Sequence, residues 1–441
     1  MEVLFLMVVS ISLLMLSVIQ SWYIGYPLII CWVLFLAYAL QKGLTFKEVL
    51  RMSYEGGKKS FVVINILLLI GAVISLWMAS GTIPSLVYYC LQYISPTGFL
   101  LSAFLISCFM SFMIGTSLGT VSTVGVPLII LAKSGSINLN MVAGAVIAGA
   151  YFGDRCSPMS SSAVLVANLT ETRLFTNIRN MLRTSILSVS LTVIIYGILS
   201  RSYPLQIVNN SLSSDLMETF KIGLIMLIPA LMIIILSLLK VRIQMTMLMS
   251  ILVAFILSLV VQKVPLHQIL YTVFWGFHLD HGALQNIMKG GGIFPMLKTT
   301  LVIFISCSLA GVFEGIAIFD RLKNSLLKME MRREKRFSAT LIVSTIAAAF
   351  GCTQTIAVVL TSEIMKVCYG QGENDQFSLD IENSGILVSA LIPWNIAALV
   401  PTTTLNVSIA GYVPYAVYLY ILPLVYLMAT RIKRQKADLI V

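Results

Sequence analysis

The residues best suited to ion chemistry lie in the segment GDRCSPMSSS, at positions 153–162. Asp154 follows 14 residues without a charge, Asn140 to Gly153, and an ionisable side chain beside so long an apolar run is a candidate functional group. Hard cations prefer oxygen ligands, at least one of them anionic. Pro158 interrupts the helix and frees backbone carbonyls as further ligands. The segment therefore predicts a site for a monovalent cation, with hydroxyl ligands from Ser157, Ser160, Ser161 and Ser162.

The carboxyl group of Asp154 is suited to exchange between two cations. Burial favours the protonated form of a carboxyl group, whereas a bound cation favours the ionised form. One aspartate can therefore hold either a proton or a sodium ion, and competition between the two is the simplest exchange mechanism. Two alternatives stay open at this point: Asp154 forms only a structural pair with the adjacent Arg155, or Arg155 binds the carboxylate of a substrate.

Three further polar runs interrupt apolar stretches: GTSLGTVSTVG (115–125), GCTQT (351–355) and ENSGILVSALIPWN (382–395). Irregular backbone at membrane depth is tolerated only when it is buried in protein or lines a watery cavity. With the Asp154 segment there are two such breaks in each half, which predicts broken helices or re-entrant hairpins that meet near the midplane. The candidate ligands on these runs are Thr116, Ser117, Thr120, Thr353, Gln354, Asn383, Ser384, Trp394 and Asn395.

The composition indicates a membrane protein. Of the 441 residues, 58% are hydrophobic and 11% are charged, whereas a soluble domain carries about 25% charged residues. Apolar stretches long enough to span a bilayer recur along the chain, which predicts an all-α polytopic membrane protein with about 11 to 13 crossings or partial crossings. Residues 3–19 are expected to be a retained helix, because Glu2 is acidic and no cleavage pattern follows.

The distribution of basic residues predicts the orientation in the membrane. Loop 41–60 carries five basic residues, whereas the segment 82–97 has no charge. Basic loops stay on the cytoplasmic side, so the loop 41–60, the basic run 321–336 and the tail 431–436 are expected there, and 263–295 outside. The net charge of +11 is thereby explained without nucleic acid. The predicted location is the cell (inner) membrane, with a cytoplasmic C-terminus.

The two halves of the chain share landmarks. Gly81, Gly115 and Pro158 are answered by Gly315, Gly351 and Pro393, with offsets of 234 to 236 residues. The loop charges place the helices 61–80 and 296–313 in opposite directions, so the repeat is inverted, which is typical of secondary transporters. The expected divisions are N-terminal helices with a basic loop (1–60), a first repeat (61–183), connecting helices with an external loop (184–295), a second inverted repeat (296–430) and a tail (431–441).

Other chemistry is disfavoured by the pattern of the remaining residues. The seven cysteines are scattered and form no CxxC pair, so neither a disulfide nor a metal centre is expected. His278, Asp280 and His281 have the side chains of metal ligands but no fourth partner. Glu382 ends the acidic stretch GENDQFSLDIE, which suggests an external loop. No nucleophile lies beside a base at matching depth, so no enzyme and no cofactor is predicted; a receptor or a membrane-embedded enzyme is the alternative from another class.

Seven segments together resemble the NhaC family of sodium/proton antiporters. They extend from about residue 60 to 430 and read ILLLIGAVISLWMASGTIPSLVYY, GTSLGTVSTVGVPLI, AGAVIAGAYFGDRCSPMS, GGGIFPMLKTTLVI, GVFEG, ENSGILVSALIPWN and YVPYAVYLYILPL. The resemblance implies sodium/proton exchange or, as in the malate/lactate branch, sodium-linked exchange of small organic acids. It also implies re-entrant hairpins and, often, homodimers. The family's motif residues fall on Asp154, Ser157, Pro158, Pro393, Trp394 and Asn395.

The chain departs from the family pattern at four positions. Ser161 and Asn383 stand where an acid is expected, and Val164 and Thr353 where an amide is expected. Two anionic groups are thus missing near the candidate site, and a carboxylate substrate could complete a sodium shell. The prediction is sodium/proton antiport by alternating access, with membrane lipid, sodium and protons as partners. The alternative is sodium- or proton-coupled transport of a small organic acid or amino acid.

Overall fold

The structure, a computed structural model, describes residues 2–206, 211–279, 284–285, 287–316, 333–370 and 372–438. Within these ranges the regular elements are helices, and the one β-type contact is an isolated bridge between Phe277 and Gly290. The predicted all-α fold is confirmed. Asp280, His281 and Asp320 lie outside the described residues.

The helices begin and end as follows: α1 Glu2–Ile19, α2 Gly25–Gln41, α3 Phe46–Lys58, α4 Phe61–Ala79, α5 Thr82–Tyr93, α6 Phe99–Ile114, α7 Ser117–Thr120, α8 Val126–Ser134, α9 Leu139–Cys156, α10 Ser161–Leu169, α11 Leu174–Ser202, α12 Ser211–Thr219, α13 Ile228–Leu238, α14 Ile243–Val260, α15 Leu266–Trp275, α16 Ile293–Gly315, α17 Arg333–Gly351, α18 Gln354–Met365, α19 Asn374–Glu382, α20 Gly385–Ser389, α21 Ile396–Leu405 and α22 Val417–Asp438. A π-helical turn, Val121–Gly125, joins α7 to α8.

By length and composition, six helices of the described chain can each cross a membrane, or seven if a pair bent by 88° counts as one span. The sequence-based expectation of about 11 to 13 was larger because it included partial crossings. Those correspond to shorter apolar helices, such as Gly25–Gln41 and Ile396–Leu405, and to the broken helices described below. The chain is a multi-pass membrane protein.

Helix α11 is apolar on its outer face and polar on its inner face. Ile186, Ile194 and Ile198 are 67%, 57% and 60% exposed, whereas Ser188 and Thr192 are fully buried. In water this arrangement would cost free energy, because apolar side chains prefer to be buried. In a bilayer it is favourable, since lipid covers the isoleucines and small hydroxyl side chains allow helices to pack closely.

Helices α6 to α8 form a helical hairpin, hairpin 1, whose two arms are both among the helices long enough to cross a membrane. The chain reverses at Gly115, whose φ of 77° lies in the left-handed region that glycine adopts without strain. The two ends of the hairpin lie together, because Pro96 accepts a hydrogen bond from the backbone of Leu205 (3.0 Å) and Gly135 accepts one from Gln206 (3.1 Å). Hairpin 1 therefore enters and leaves on the same side of the bundle.

Helices α17 and α18 form a second hairpin, named here hairpin 2. Its reversal is at Cys352, which also has a left-handed φ, of 56°. Near its open end, Arg336 on α17 donates to the backbone oxygen of Cys368 (3.5 Å) and pairs with Glu373. A helical hairpin that reverses at a left-handed residue is thus present in both halves of the chain.

The open ends of the two hairpins lie at opposite ends of α11. Glu171, just before α11, pairs with Lys366 at the end of α18 (3.2 Å), whereas Leu205, just after α11, bonds to hairpin 1. With 29 residues, α11 is about 43 Å long at a rise of 1.5 Å per residue. The hairpins therefore enter from opposite sides and point toward each other, as an inverted repeat requires.

Each half also contains a broken helix after its hairpin. In the first half, residues 157–160 separate α9 from α10. In the second half, residues 390–395 separate α20 from α21. Two non-helical residues, Asn383 and Ser384, separate α19 from α20. The breaks lie beside the hairpin tips, since Ser157 donates to Phe112 (2.7 Å) in one half and Trp394 to Ala349 (2.8 Å) in the other.

The segment expected as a basic loop at 41–60 is mostly the helix α3. A capping box between Thr45 and Glu48 begins it, and such boxes stabilise helix starts. Its glycine face packs on α16 so closely that a Cβ on Gly56 would contact the α-carbon of Gly311 at 2.6 Å. Its basic side chains still point outward, and Lys59 pairs with Glu314 at 2.6 Å.

Candidate functional site

Asp154 lies where the two hairpin tips meet. Its side chain is 4% exposed. The backbone N–H of Ser117, at the tip of hairpin 1, donates to Oδ1 at 3.3 Å, and the amide of Gln354, at the tip of hairpin 2, donates to Oδ2 at 3.0 Å. Ser162, on α10, also donates to Oδ2, at 3.4 Å. The carboxylate thus contacts residues from both halves of the chain.

The close contact between α9 and α6 fixes the position of Asp154. A Cβ on Gly153 would overlap the backbone at Ser111 and Phe112. In addition, Ser111 donates from its hydroxyl to the backbone oxygen of Ala150. Because only glycine fits at this point, the residue just before Asp154 sets how closely α9 approaches hairpin 1.

Arg155 points to a different set of groups. It is fully buried, and its guanidinium donates to Ser185 (2.6 Å), Tyr418 (3.1 Å), Thr184 (3.2 Å) and the side-chain oxygen of Asn383. All of these acceptors are neutral. Among the described residues, Arg155 makes no ion pair at 4.0 Å or less, so the alternative in which Asp154 merely pairs with Arg155 is not what the structure contains.

The serines after Asp154 do not all reach the carboxylate. Ser160 donates to the backbone oxygen of Asp154 and accepts from Ala163 (3.2 Å), so it caps α10. Ser157 bonds to hairpin 1. Ser161, predicted as a ligand, is exposed at the start of α10, and Ser162 contacts Asp154 instead. Position 161 does not contact Asp154. The serine that stands there in place of the expected acid therefore leaves the groups around the carboxylate unchanged.

The remaining predicted residues shape the breaks. Thr120 bonds to the backbone oxygen of Thr116 (2.9 Å), and Thr353 caps α18. Ser384 bonds to Ser344 (3.0 Å). Asn395 donates to Ala348 (2.8 Å) and caps α21, next to Trp394.

Glu382 was expected in an external loop, and the structure contradicts this. The residue ends α19 with no exposed surface, and neither carboxylate oxygen has a hydrogen-bond donor. Arg155 and Asp154 lie within electrostatic range. The helical spacing of buried Phe377, Ser378 and Ile381 could have revealed that Glu382 lies on the same inner face.

Two other groups that sequence inspection left aside also belong to the site. Tyr418 on α22 and Ser185 on α11 bond to each other (3.2 Å) and to Arg155. In the described part of the chain, no group of three or more His, Cys, Asp or Glu side chains is arranged to hold a metal ion. The buried acidic and basic side chains of the site are Asp154, Arg155 and Glu382.

The arrangement offers a cation a small set of oxygen ligands. The bonds of 3.3 and 3.4 Å to Asp154 are at the long end for hydrogen bonds, so both carboxylate oxygens can turn to a cation. The Ser162 hydroxyl and, after a half-turn of the amide, the Gln354 side-chain oxygen can join them. The candidate ligands come from the broken helix of the first half, through Asp154 and Ser162, and from the tip of hairpin 2, through Gln354. A cation bound between them would therefore be sensitive to the position of hairpin 2 relative to α9 and α10.

Comparison with known proteins supports the family resemblance seen in the sequence. The sequence model of the Na+/H+ antiporter family matches residues 1–167 and 149–430. The chain is 31% identical over 396 residues to the malate-2H(+)/Na(+)-lactate antiporter of Bacillus subtilis (strain 168), which covers 88% of this chain and 85% of that protein. It is 29% identical over 427 residues to the Na(+)/H(+) antiporter NhaC of the same organism, covering 92% of each. A more distant relative is the arginine/ornithine antiporter ArcD of Halobacterium salinarum, 21% identical over 82% of this chain and 78% of that protein. Matched along nearly its whole length, the chain belongs to the Na+/H+ antiporter family.

Proposed function

We propose that this protein exchanges sodium ions for protons across the cell membrane by alternating access, with sodium bound at Asp154. The observation that carries the proposal is a buried carboxylate held between the tips of two hairpins that enter from opposite sides. A site at that point can be opened to either side by a small movement of one hairpin. Sodium and protons are then the transported ions, and no cofactor takes part.

We also propose an orientation of the chain in the membrane and an assembly. The C-terminus is cytoplasmic, because the basic tail at 431–436 follows the positive-inside rule. Hairpin 1 then opens to the outside and hairpin 2 to the cytoplasm. The two inverted repeats, 61–183 and 296–430, carry the hairpins, and lipid surrounds the apolar outer faces. A homodimer is the assembly that the family resemblance implies.

The test uses the purified full chain in sealed proteoliposomes that contain a pH-sensitive dye. Addition of sodium outside should move protons outward, and the internal pH should rise. Potassium at the same concentration should not produce this change. A dye signal that does not depend on sodium would contradict the proposal.

The difference between Ser162 and Ser161 gives a matched pair of variants. We expect Ser162→Ala to raise the half-saturating sodium concentration by roughly three- to tenfold, equivalent to ~0.7–1.4 kcal/mol, because it removes an oxygen next to Asp154. Ser161→Ala, one residue away but exposed, should leave it unchanged. Sodium titration of the proton flux measures both, and equal effects of the two variants would refute the ligand role of Ser162.

A second candidate function is sodium-linked exchange of a small organic acid. A cavity of about 360 Å³ between α4, α8, α16 and α21 is lined by Lys133 and Lys289, together with His278, Thr403, Thr404 and Asn406. No acidic side chain is among the described residues that line it. The two lysines lie within electrostatic range of each other. Such a cavity attracts anions and repels cations, so it favours an organic acid such as malate or lactate over a cationic amino acid such as arginine.

The two functions are separated by one measurement. If the organic acid is a substrate, radiolabelled malate or lactate should enter proteoliposomes when sodium is present. Lys133→Gln should then weaken uptake severalfold, because it removes one of the two positive charges in the cavity. Lys298→Gln, on α16 outside the lining, serves as the charge-matched control. Uptake that is absent in the wild type, together with sodium-driven proton flux, leaves antiport as the function.

A further inference from the structure

Glu382 is a buried acid whose side chain has no hydrogen-bond partner in the described structure. It has no exposed surface, and both carboxylate oxygens lack a donor. An ionised carboxylate in such a place is costly, because burying a charge without hydrogen bonds costs far more than burying a neutral acid. A structural role would normally supply the carboxylate with donors. The unsatisfied oxygens therefore indicate a group that gains and loses a proton.

Arg155 is the second buried charged group without a partner of opposite charge in hydrogen-bond contact. Together with Asp154 and Glu382 it forms the charge cluster. Its charge is fully buried, yet its donors contact only neutral acceptors, and its Nε atom has no partner. Glu382 and Arg155 act on each other electrostatically. They are also linked through the chain, since Asn383, which follows Glu382, accepts a hydrogen bond from Arg155.

Few other charges face Glu382. From α9, the groups in electrostatic range are Asp154, Arg155 and the thiol of Cys156. The helices packed against α19 present neutral hydroxyls toward the cluster: Ser162 from α10, Thr184 and Ser185 from α11, and Ser344 from α17. Among the described side chains, the charged residues elsewhere on these helices are exposed or already bonded. Those exposed are Arg179, Arg183, Arg201, Lys335, Glu363 and Asp375, and those bonded are Arg336 and Asp380.

The charges of the cluster add up to a simple rule. Ionised Asp154 and Glu382 contribute two negative charges and Arg155 contributes one positive charge, so the empty cluster carries one net negative charge. One cation makes it neutral, whether that cation is sodium or a proton. Two cations would leave a net positive charge and none a net negative charge, and both are costly in a low-dielectric interior.

We propose that Glu382 is the proton-binding site of the exchange, separate from the sodium site at Asp154. The proposal rests on the antiport function proposed above and assigns its second ion to a residue. Sodium at Asp154 lets Glu382 lose its proton, and the proton on Glu382 lets sodium leave. The two ions exclude each other through the net charge of the cluster and do not need to share ligands. Each turnover therefore moves one sodium ion against one proton without net charge.

This arrangement differs from competition at a single carboxylate in one measurable way. Glu382→Gln mimics the protonated acid permanently. In the purified wild type, the sodium dissociation constant should fall by about tenfold per pH unit while Glu382 titrates, because each sodium ion displaces one proton. In Glu382→Gln it should stay at the weak, low-pH value of the wild type at every pH. Isothermal titration with sodium chloride, in detergent and across a series of pH values, gives these constants.

The controls separate failure of this inference from failure of the proposed function. Asp375→Asn, an exposed acid on the same helix, should behave as the wild type. If Glu382→Gln keeps the wild-type dependence on pH, both ions compete at Asp154 and the assignment to Glu382 is wrong. If the wild type itself shows no sodium-driven proton flux in proteoliposomes, antiport is refuted, whatever the variant does.

A second measurement distinguishes Glu382 from Asp154 as the proton-binding residue if Glu382→Gln does not fold. Infrared difference spectroscopy detects the carbonyl band of a protonated carboxyl group as pH is raised. In Asp154→Asn, a carboxyl group of the cluster should still lose its proton, at a lower pH than in the wild type, because Arg155 then faces a single acid. Disappearance of this pH-dependent band in Asp154→Asn would assign the proton to Asp154 and overturn the proposal.

Discussion

Asp154→Asn is expected to reduce sodium-driven proton flux to the rate of liposomes without protein. The asparagine keeps the size of the side chain and can still contact Gln354 and Ser162, but it lacks the negative charge that a sodium ion needs among its ligands. The dye assay in proteoliposomes measures the loss. Size-exclusion chromatography should show the same elution volume as the wild type.

Asp375→Asn is the matched control for this variant, because it removes an acid from an exposed position on α19. Its flux should equal that of the wild type. Sodium-driven flux that survives in Asp154→Asn would mean that the carboxylate between the hairpin tips is structural. The sodium site would then have to be sought elsewhere.

Gly153→Ala is the second change with a large expected effect. The added methyl group would overlap the backbone at Ser111 and Phe112, so α9 and hairpin 1 must move apart. Overpacking of this kind costs about 1–3 kcal/mol of stability. Because the shift occurs one residue from Asp154, we expect sodium affinity and flux to be lost together. Thermal unfolding followed by tryptophan fluorescence measures the stability, and the dye assay measures the flux.

Gly197→Ala provides the comparison for that substitution. Gly197 lies in α11 and has no atom within 4 Å of an added Cβ. Alanine there should raise stability by up to about 1 kcal/mol through its better helix propensity, with flux unchanged. If Gly153→Ala behaves in the same way, the contact between α9 and hairpin 1 does not hold the carboxylate in place.

Much of this architecture was predictable because the bilayer constrains sequence so strongly. Polar, glycine-containing runs within apolar stretches can be accommodated only as buried breaks, and the runs near Gly115, Asp154, Cys352 and Trp394 are all breaks in the structure. Asp154 was also identifiable, since a lone acid beside a long uncharged run has few structural explanations.

The orientation of side chains could not be predicted in the same way. Neighbouring residues on a helix point in directions about 100° apart and do not face each other, so Asp154 and Arg155 contact different groups although they are adjacent. The same geometry separates Ser161 from Ser162. Glu382 was misplaced because the acidic residues before it dominate the local composition, whereas the helical spacing of its buried neighbours determines its position.

The length of α11 makes the cluster sensitive to the thickness of the membrane. The hydrocarbon core of a bilayer is about 30 Å thick, close to the ~27 Å between Thr184 and Ser202 on this helix, and the exposed Arg179 and Arg183 lie just before this stretch. A thinner bilayer makes such a helix tilt. Because α11 holds Arg155 through Thr184 and Ser185, we expect a tilt of α11 to move Arg155, and the rate of exchange to depend on the acyl-chain length of the lipid.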